Sequence, residues 1–114
     1  MINFYLPDFY YYYNLNMVLI NILKKNPDYF YDNIKIAAIY GSFPGQIWNG
    51  GRLVSGFSYS DNIEATINNY NDLNIPIRLT YTNPLLDETH LNDTYCNFIT
   101  KIANNGMNEI VVNS

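Results

Sequence analysis

The middle of the chain alternates strictly between apolar and polar side chains. Residues 76–84 begin and end with proline, and the alternation between the prolines predicts a strand with two different faces. One face carries Ile77, Leu79 and Tyr81, and the other carries Arg78, Thr80 and Thr82. A strand buried on both faces usually shows a near-continuous apolar run. The polar face is therefore typical of a strand that lines a barrel interior or a functional crevice.

Periodicity elsewhere predicts three helices and two more strands. Apolar side chains repeat every three to four positions in the helices and form short β-branched runs in the strands. Residues 1–9 are expected to be an irregular lead-in. The predicted elements are, in order, a helix over 10–25, a strand over 34–40, a helix over 60–74, the strand described above, a helix that ends before Gly106, and a strand over 109–114.

The second helix has the clearest boundaries. Asp61 followed by Glu64 has the form of a capping box, and Asn74 can take the left-handed conformation that ends a helix. Gly106 gives a similar end signal for the third helix. The buried stripe of the second helix is predicted to be Ile63, Ile67, Tyr70 and Leu73. That of the third is predicted to be Leu91, Tyr95, Phe98, Ile99 and Ile102.

The order of elements predicts the fold class. Strands that alternate with helices of this length imply parallel pairing through right-handed crossovers. We therefore predict an α/β fold in which three parallel strands alternate with helices after an amino-terminal helix, as part of a TIM-like (β/α) barrel. A chain of 114 residues is the size of one domain, so residues 1–114 are expected to form a single one.

Composition excludes several classes of function. The 48% hydrophobic fraction suffices for a core, and the net charge of −4 argues against a phosphate-binding surface, so nucleic-acid binding is not expected. The single cysteine rules out a disulfide framework and fits a reducing compartment. The amino terminus lacks the features of a signal peptide, and no apolar run reaches the roughly 18 residues of a membrane span. A cytoplasmic location without membrane contact is the expectation.

Two compositional biases have ordinary explanations. Asn is enriched and Tyr numbers 12, which an AT-rich coding sequence would produce without any functional code. The tyrosine run of residues 10–13 could form a recognition patch, but tyrosine also packs well at half-buried positions. Packing in the core or in a crevice is the favoured interpretation of this run.

Polar residues follow each predicted strand. Ser42 follows the first, Thr82-Asn83 the second, and Asn113 lies at the end of the third. Parallel strands bring their carboxyl ends to one rim, which is where α/β proteins bind ligands. These residues are therefore candidate substrate-binding residues. Strands also end in polar residues simply because loops begin there, and both interpretations stay open at this stage.

Two arginines are further candidates for substrate binding. Arg78 lies in the middle of a strand and needs a carboxylate or a ligand if it is enclosed, whereas on an exposed sheet face it would be hydrated. Arg52 lies in the glycine-rich loop of residues 41–59 and could contact an anionic group. That loop matches no phosphate-binding motif. Its glycines are expected to let it fold over the strand ends, with Trp48 filling a gap.

The residues that commonly carry catalysis are few. His90 is the only histidine and lies beside Glu88, where a capping or surface role is favoured over that of a general base. Cys96 lies on a predicted helix beside Tyr95, which favours a structural thiol. The carboxylates of residues 87, 88 and 93 suit a helix amino terminus. No metal-ligand spacing is present, and no cofactor is expected.

From Tyr40 to Ser114 the sequence resembles the opening of the collagenase-like peptidase family, whose members include enzymes of RNA base hydroxylation. The matching segments are Gly50-Gly51-Arg52, the helix from Asn62, Thr80-Tyr81-Thr82-Asn83, the helix to Gly106, and Ile110-Val111-Val112-Asn113-Ser114. The resemblance implies a (β/α) barrel whose characteristic cysteine and glutamate motifs lie beyond the residues of this chain. It therefore transfers no catalytic residue.

Two hypotheses follow. In the first, the chain is the amino-terminal part of such a barrel, inactive alone, and contributes strand-end residues to an incomplete pocket. Its partner would be the remainder of the barrel or a self-association partner. In the second, it is a self-contained α/β binding or protein-interaction module without catalysis. An uncovered sheet face beside a bare final strand would favour the first hypothesis. Arg78 in bulk water, with Ile77 and Leu79 covering the only core, would remove its best support at the level of residues.

Overall fold

A computed structural model of the protein describes residues 2–25, 34–46, 48, 60–83 and 86–112. These residues form four strands, three α-helices and one 3₁₀-helix. The elements are β1 (Ile2–Leu6), α1 (Tyr13–Lys25), β2 (Ile34–Gly41), α2 (Ser60–Asp72), β3 (Ile77–Tyr81), the 3₁₀-helix (Glu88–Asn92), α3 (Thr94–Ala103) and β4 (Glu109–Val112).

The four strands form one parallel sheet in the order β1-β2-β3-β4. The predicted α/β class with strands and helices in alternation is confirmed, but the predicted number of three strands is wrong. Residues 1–9 were expected to be irregular, whereas Ile2–Leu6 pair with β2. Ile2, Phe4 and Leu6 alternate with Asn3 and Tyr5, but the run is short, and its strand conformation depends on pairing with β2, which is distant in sequence.

A bulge interrupts the pairing of β1 with β2. Phe4 pairs with Ile36, whereas the next residue, Tyr5, pairs with Ala38, so β2 contains one additional residue, Ala37, at this point. A bulge of this kind shifts the alternation of side chains along the strand. As a result Ile36 packs against the core although it is an odd number of positions from the fully buried Ile39.

The helices and one face of the sheet enclose a single hydrophobic core. Ile77 and Leu79 of β3 are fully buried, and the stripe predicted for α2 is confirmed for Ile63, Ile67 and Tyr70, whereas Leu73 is half-buried. Further members of the core are Phe9, Ile20, Ile39, Phe43, Ile75, Ile99 and Ala103. Burial of these side chains is the main favourable contribution to folding.

The third predicted helix is divided into two elements. Asp87 caps the 3₁₀-helix, and Asp93 caps α3 by accepting a hydrogen bond from the backbone N–H of Cys96 at 2.7 Å. Ile99 of the predicted stripe is fully buried, but Leu91 lies in the 3₁₀-helix and is 66% exposed. The stripe prediction is therefore wrong for Leu91, because its spacing assumed one continuous helix. It is also wrong for Phe98, which is 40% exposed, because the buried face of α3 is formed by Cys96, Ile99 and Ala103.

The predicted helix-end signals have different outcomes. Asn74 has a φ of 61°, which is the left-handed conformation expected of it. Gly106 also has a positive φ, of 85°, but it lies in the turn beyond α3, whose C-cap is Asn104. Glycine tolerates this backbone conformation without the steric cost that other residues incur.

The opposite face of the sheet is largely uncovered within the described part of the chain. Its side chains are half-buried or exposed, apart from that of Ala38. We call this surface the open face, and its residues are Tyr5, Ala38, Tyr40, Arg78, Thr80, Glu109 and Val111. Of the described sheet, one face is therefore packed on helices and the other is amphipathic and largely uncovered by described residues.

Candidate functional site

The carboxyl ends of β2 and β3 form the predicted rim. Gly41, the last residue of β2, pairs with Leu79, so Ser42 lies beside Thr80, while Thr82 and Asn83 follow the end of β3 two residues further on. All three predicted rim residues are half-buried. The hydroxyl of Thr80 donates to the carbonyl oxygen of Gly41 at 3.1 Å, which ties the two strand ends together. The candidates Arg52 and Asn113 lie outside the described residues.

Trp48 packs over the end of β3, as the sequence predicted. Its indole ring meets the ring of Tyr81 edge to face, with 5.1 Å between the ring centroids. The indole N–H donates to the carbonyl oxygen of His90 at 2.8 Å, and the carbonyl oxygen of Trp48 accepts the backbone N–H of Asn83 at 3.1 Å. Trp48 therefore links the loop after β2 to the segments that follow β3.

A buried polar chain lies behind this rim. The side-chain oxygen of Gln46 accepts the backbone N–H of Phe43 at 2.7 Å, and its amide N–H donates to the hydroxyl of Tyr81 at 3.4 Å. That hydroxyl also hydrogen-bonds the hydroxyl of Thr100 on α3. Sequence reasoning missed Gln46, which is 1% exposed, because no local pattern marks a loop glutamine as buried.

The environment of Tyr81 fixes its protonation state. Burial raises the pKa of the Tyr81 phenol above its usual value, and the hydrogen bonds to Thr100 and Gln46 offset only part of this effect. The phenol therefore stays protonated at neutral pH and acts as a hydrogen-bonding link between β3 and α3. It is not a base.

Arg78 lies on the open face rather than at the rim. It is on the same side of β3 as Thr82 but four positions earlier, which corresponds to about 13 Å along a strand. Its Nε atom is 2.9 Å from a carboxylate oxygen of Glu109, and its guanidinium lies over the ring of Tyr5, 4.7 Å from the ring centroid. Ser42, Thr82 and Asn83 thus follow the ends of two adjacent strands, whereas Arg78 lies apart from them on the open face.

The contact between Arg78 and Glu109 is ionic. The Nε atom of Arg78 is enclosed and close to the carboxylate, but its N–H is not aligned for a hydrogen bond with any described residue. The arginine side chain is 33% exposed and the glutamate side chain 60% exposed. Solvent screening at this exposure leaves such a pair worth about 1 kcal/mol or less. The predicted carboxylate partner of Arg78 is present, yet the pair adds little to stability.

His90 and Cys96 do not form a catalytic pair. His90 accepts the backbone N–H of Asp87 through its Nδ1 atom at 3.0 Å and thereby caps the 3₁₀-helix. Hydrogen bonds from Thr89 lower the pKa of the Asp87 carboxyl group. The Cys96 thiol is buried within α3. Within the described ranges, no group of three or more His, Cys, Asp and Glu side chains is arranged to hold a metal ion.

A groove of about 450 Å³ runs between α3 and β4 on the helix-covered side of the sheet. It is lined by Asn97, Thr100, Lys101, Ala103, Asn104, Asn108, Glu109 and Ile110. Its mixed lining includes the edge strand, so it is an open surface beside the last described strand rather than an enclosed pocket. A helix that followed a further strand in the same winding would lie near this groove.

Among the helices that the structure describes, none is both long enough and apolar enough to cross a membrane. Comparison of the chain with protein-family models, with curated proteins and with solved structures finds no match. The function is therefore argued from the geometry of the sheet and its rim.

Proposed function

We propose that the chain is the amino-terminal part of a (β/α) barrel and is inactive until further β/α units complete its pocket. The observation that carries the proposal is the winding of the sheet. Among the described residues, four parallel strands follow one another in sequence order without a reversal, and the hydrophobic core lies on one face of the sheet. Doubly wound sheets reverse the strand order and cover both faces, whereas barrels do neither.

In a completed barrel the open face would be the interior. Barrel strands carry side chains that fill the interior on one face and contacts with the helices on the other. Ile77 and Leu79 make the contacts with the helical layer here, while Arg78 and Thr80 would point into the interior. Rim residues Ser42, Thr82 and Asn83 would then surround the mouth of the barrel, where such proteins bind substrates. Arg52 and Asn113 are proposed for the same mouth.

The proposal also accounts for the scarcity of catalytic groups among the described residues. His90 serves as a helix cap and Cys96 is buried, so neither is available for chemistry at the rim. Reactive groups would come from outside the described residues, as the resemblance to the collagenase-like peptidase family implies. This chain would contribute substrate contacts through hydroxyl, amide and guanidinium groups.

Dye binding and urea unfolding of the chain at low micromolar concentration test the proposal. An open face in need of cover should bind the hydrophobic dye ANS, and Val111→Lys should lower that binding because Val111 lies on this face, 40% exposed. Val18→Lys on α1, at 56% exposed, is the matched control and should leave the dye signal unchanged. A monomer that unfolds in one sharp transition without binding the dye would contradict the proposal.

The alternative, a self-contained interaction module, rests on the exposed tyrosines before α1. Tyr11 is 63% exposed and contacts the ring of Tyr12, which is itself 40% exposed. Exposed tyrosines are common at protein interfaces. This function predicts that Tyr11→Ala abolishes capture of a partner while Tyr40→Ala on the open face does not. The barrel proposal predicts the reverse order of effects on association.

A further inference from the structure

Half of the exposed large apolar side chains among the described residues lie on the strands, and most of these are on the two edge strands. β1 and β4 each pair with one described strand, and no described residue pairs with the other side of their backbones. The exposed large apolar side chains of the sheet are Ile2, Phe4, Tyr5, Tyr40, Ile110, Val111 and Val112. Apolar edge strands of this kind readily pair with another chain.

We propose that a second copy of this chain supplies the missing half of the barrel, so that β4 of each copy pairs in parallel with β1 of the other. This inference rests on the proposed function. Parallel (β/α) barrels close with eight strands, and the structure provides four in one continuous winding. Two copies related by a two-fold axis would therefore give a closed barrel without an unpaired edge.

The strand register is compatible with this closure. Leu6 pairs with Ile39, Ile39 pairs with Ile77, and the next residue, Arg78, pairs with Glu109. The line of paired residues that starts at Leu6 and crosses the sheet, which we call the row, therefore reaches β4 at Asn108. The shear of an eight-stranded barrel displaces such a row by about four residues over half the barrel. If the row is displaced by four residues toward the amino terminus, it continues from Asn108 of one copy to Ile2 of the second copy. If it is displaced by four residues in the other direction, it falls beyond the end of β1.

The same displacement preserves the two faces of the sheet. It places Ile110 beside Phe4 of the second copy and Val112 beside Leu6 of the second copy, all on the helix-facing side. Because the displacement is even, Val111 meets Tyr5 of the second copy on the open face. An odd displacement would have reversed every side chain of the joined strand. All four residues of β4 thereby find partners within Ile2–Leu6.

The charges of the open face are compatible with a second copy of the chain. Arg78 and Glu109 lie on adjacent strands of this face and neutralise each other within one chain. The two-fold axis would place two such pairs in the shared interior, where an unpaired charge would be strongly unfavourable. Because each pair is neutral, the two open faces would not repel each other, and the choice of a second copy rests on the number and register of the strands.

Cross-linking of mixed cysteine variants tests the inference directly. Phe4→Cys and Ile110→Cys, each made with Cys96→Ala, replace side chains that are 48% and 46% exposed. Mild oxidation of their mixture should give a cross-linked dimer, because directly paired residues lie within disulfide reach. Each variant alone should give at most one tenth as much product. Val18→Cys mixed with Phe4→Cys is the matched control and should give none. Circular dichroism confirms that each variant is folded.

The possible outcomes separate this inference from the proposed function. A mass of twice 13.3 kDa by light scattering, together with the mixed cross-link, supports both. A dimer in which Ile110→Cys cross-links with itself overturns the closure, because it indicates pairing between two β4 strands. A monomer that binds ANS contradicts the inference that a second copy completes the barrel, but it is consistent with the barrel proposal. A monomer that unfolds sharply without binding ANS overturns both.

Discussion

At the scale of single residues, three asparagines hold together the amino-terminal ends of β3 and β4. Asn108 and Asn71 exchange reciprocal amide hydrogen bonds, and Asn108 also accepts the backbone N–H of Ile77 at 2.8 Å and donates to the carbonyl oxygen of Ala103 at 3.0 Å. Asn105 donates to Asn71 at 2.8 Å. At these positions the amide has a structural role that a compositional bias alone does not reveal.

Replacing Asn108 should weaken the fold substantially. Asn108→Ala would leave the backbone N–H of Ile77 without this acceptor and would remove two hydrogen bonds of Asn71, which keeps those with Ile75 and Asn105. An unsatisfied enclosed donor costs about 1–3 kcal/mol. We expect the free energy of unfolding in urea to fall by about 2 kcal/mol. Asn68→Ala, at an exposed position of α2, is the control and should change it by about 0.5 kcal/mol or less. Equal effects of the two substitutions would disprove the role of Asn108.

Ionisation of the buried Tyr70 phenol should lower the free energy of unfolding at high pH. Its hydroxyl donates to the carbonyl oxygen of Phe9 at 2.6 Å, and burial raises the pKa of Tyr70 to about 12. Because the folded pKa lies above the unfolded value of 10.0, this contribution is complete below pH 10 and is lost as the pH rises toward 12. At pH 11 the loss should be about 1 kcal/mol.

Urea titrations at pH 8 and pH 11 measure the effect of Tyr70. Tyr70→Phe cannot ionise at this position, so the part of the alkaline loss due to Tyr70 should disappear. Tyr11→Phe, at an exposed position, should retain the whole loss. If Tyr70→Phe loses as much stability at pH 11 as the unmodified chain, the phenol is not responsible. Both measurements are made at low protein concentration, so that association does not contribute.

At the scale of elements, capping determines where the helices start after β3. Asp87 and Asp93 each accept backbone N–H groups, and they divide the segment into a 3₁₀-helix and α3. Asp93→Ala should therefore lower the free energy of unfolding by about 1 kcal/mol. Asp72→Ala is the control, since an acidic residue at the end of α2 opposes the helix dipole and its removal should be neutral or stabilising. Thermal unfolding of both variants makes the comparison, and similar losses would contradict the cap.

Most elements of this fold could be predicted from the sequence, because their patterns are local. The alternation around Arg78 and the α2 stripe depend only on neighbouring residues, and both predictions agree with the structure. β1 could not be predicted, since its conformation depends on pairing with β2. The rim was located from strand ends, but Gln46 was missed because its burial depends on contacts with Tyr81, 35 positions away.

At the scale of the whole molecule, the sheet has a simple topology in which each strand contacts only its neighbours in sequence order. Such a topology can be extended at either edge without a change in the existing packing. If the chain associates as proposed, the ion pair on the open face contributes differently before and after closure of the barrel.

Glu109→Gln distinguishes these two situations. In the single chain the pair with Arg78 is solvent-screened, so the free energy of unfolding should change by about 0.5 kcal/mol or less. In a closed interior the same change leaves Arg78 enclosed and unpaired, and the dissociation constant of the dimer should rise at least about tenfold. Sedimentation equilibrium measures the dimer, and Glu88→Gln on the exposed 3₁₀-helix is the control. A loss of folding stability without a change in dimerisation would refute this assignment.

The additional residue in β2 has a consequence for the lengths that this chain can tolerate. Because Ala37 bulges opposite Phe4 and Tyr5, both Ile36 and Ile39 reach the core. A deletion of one residue here would restore regular alternation and move the first half of β2 onto the other face. Insertions and deletions are thus constrained within β2 even where substitutions are tolerated. The number of residues in 34–41, more than their identity, keeps the edge strand β1 in register with the rest of the sheet.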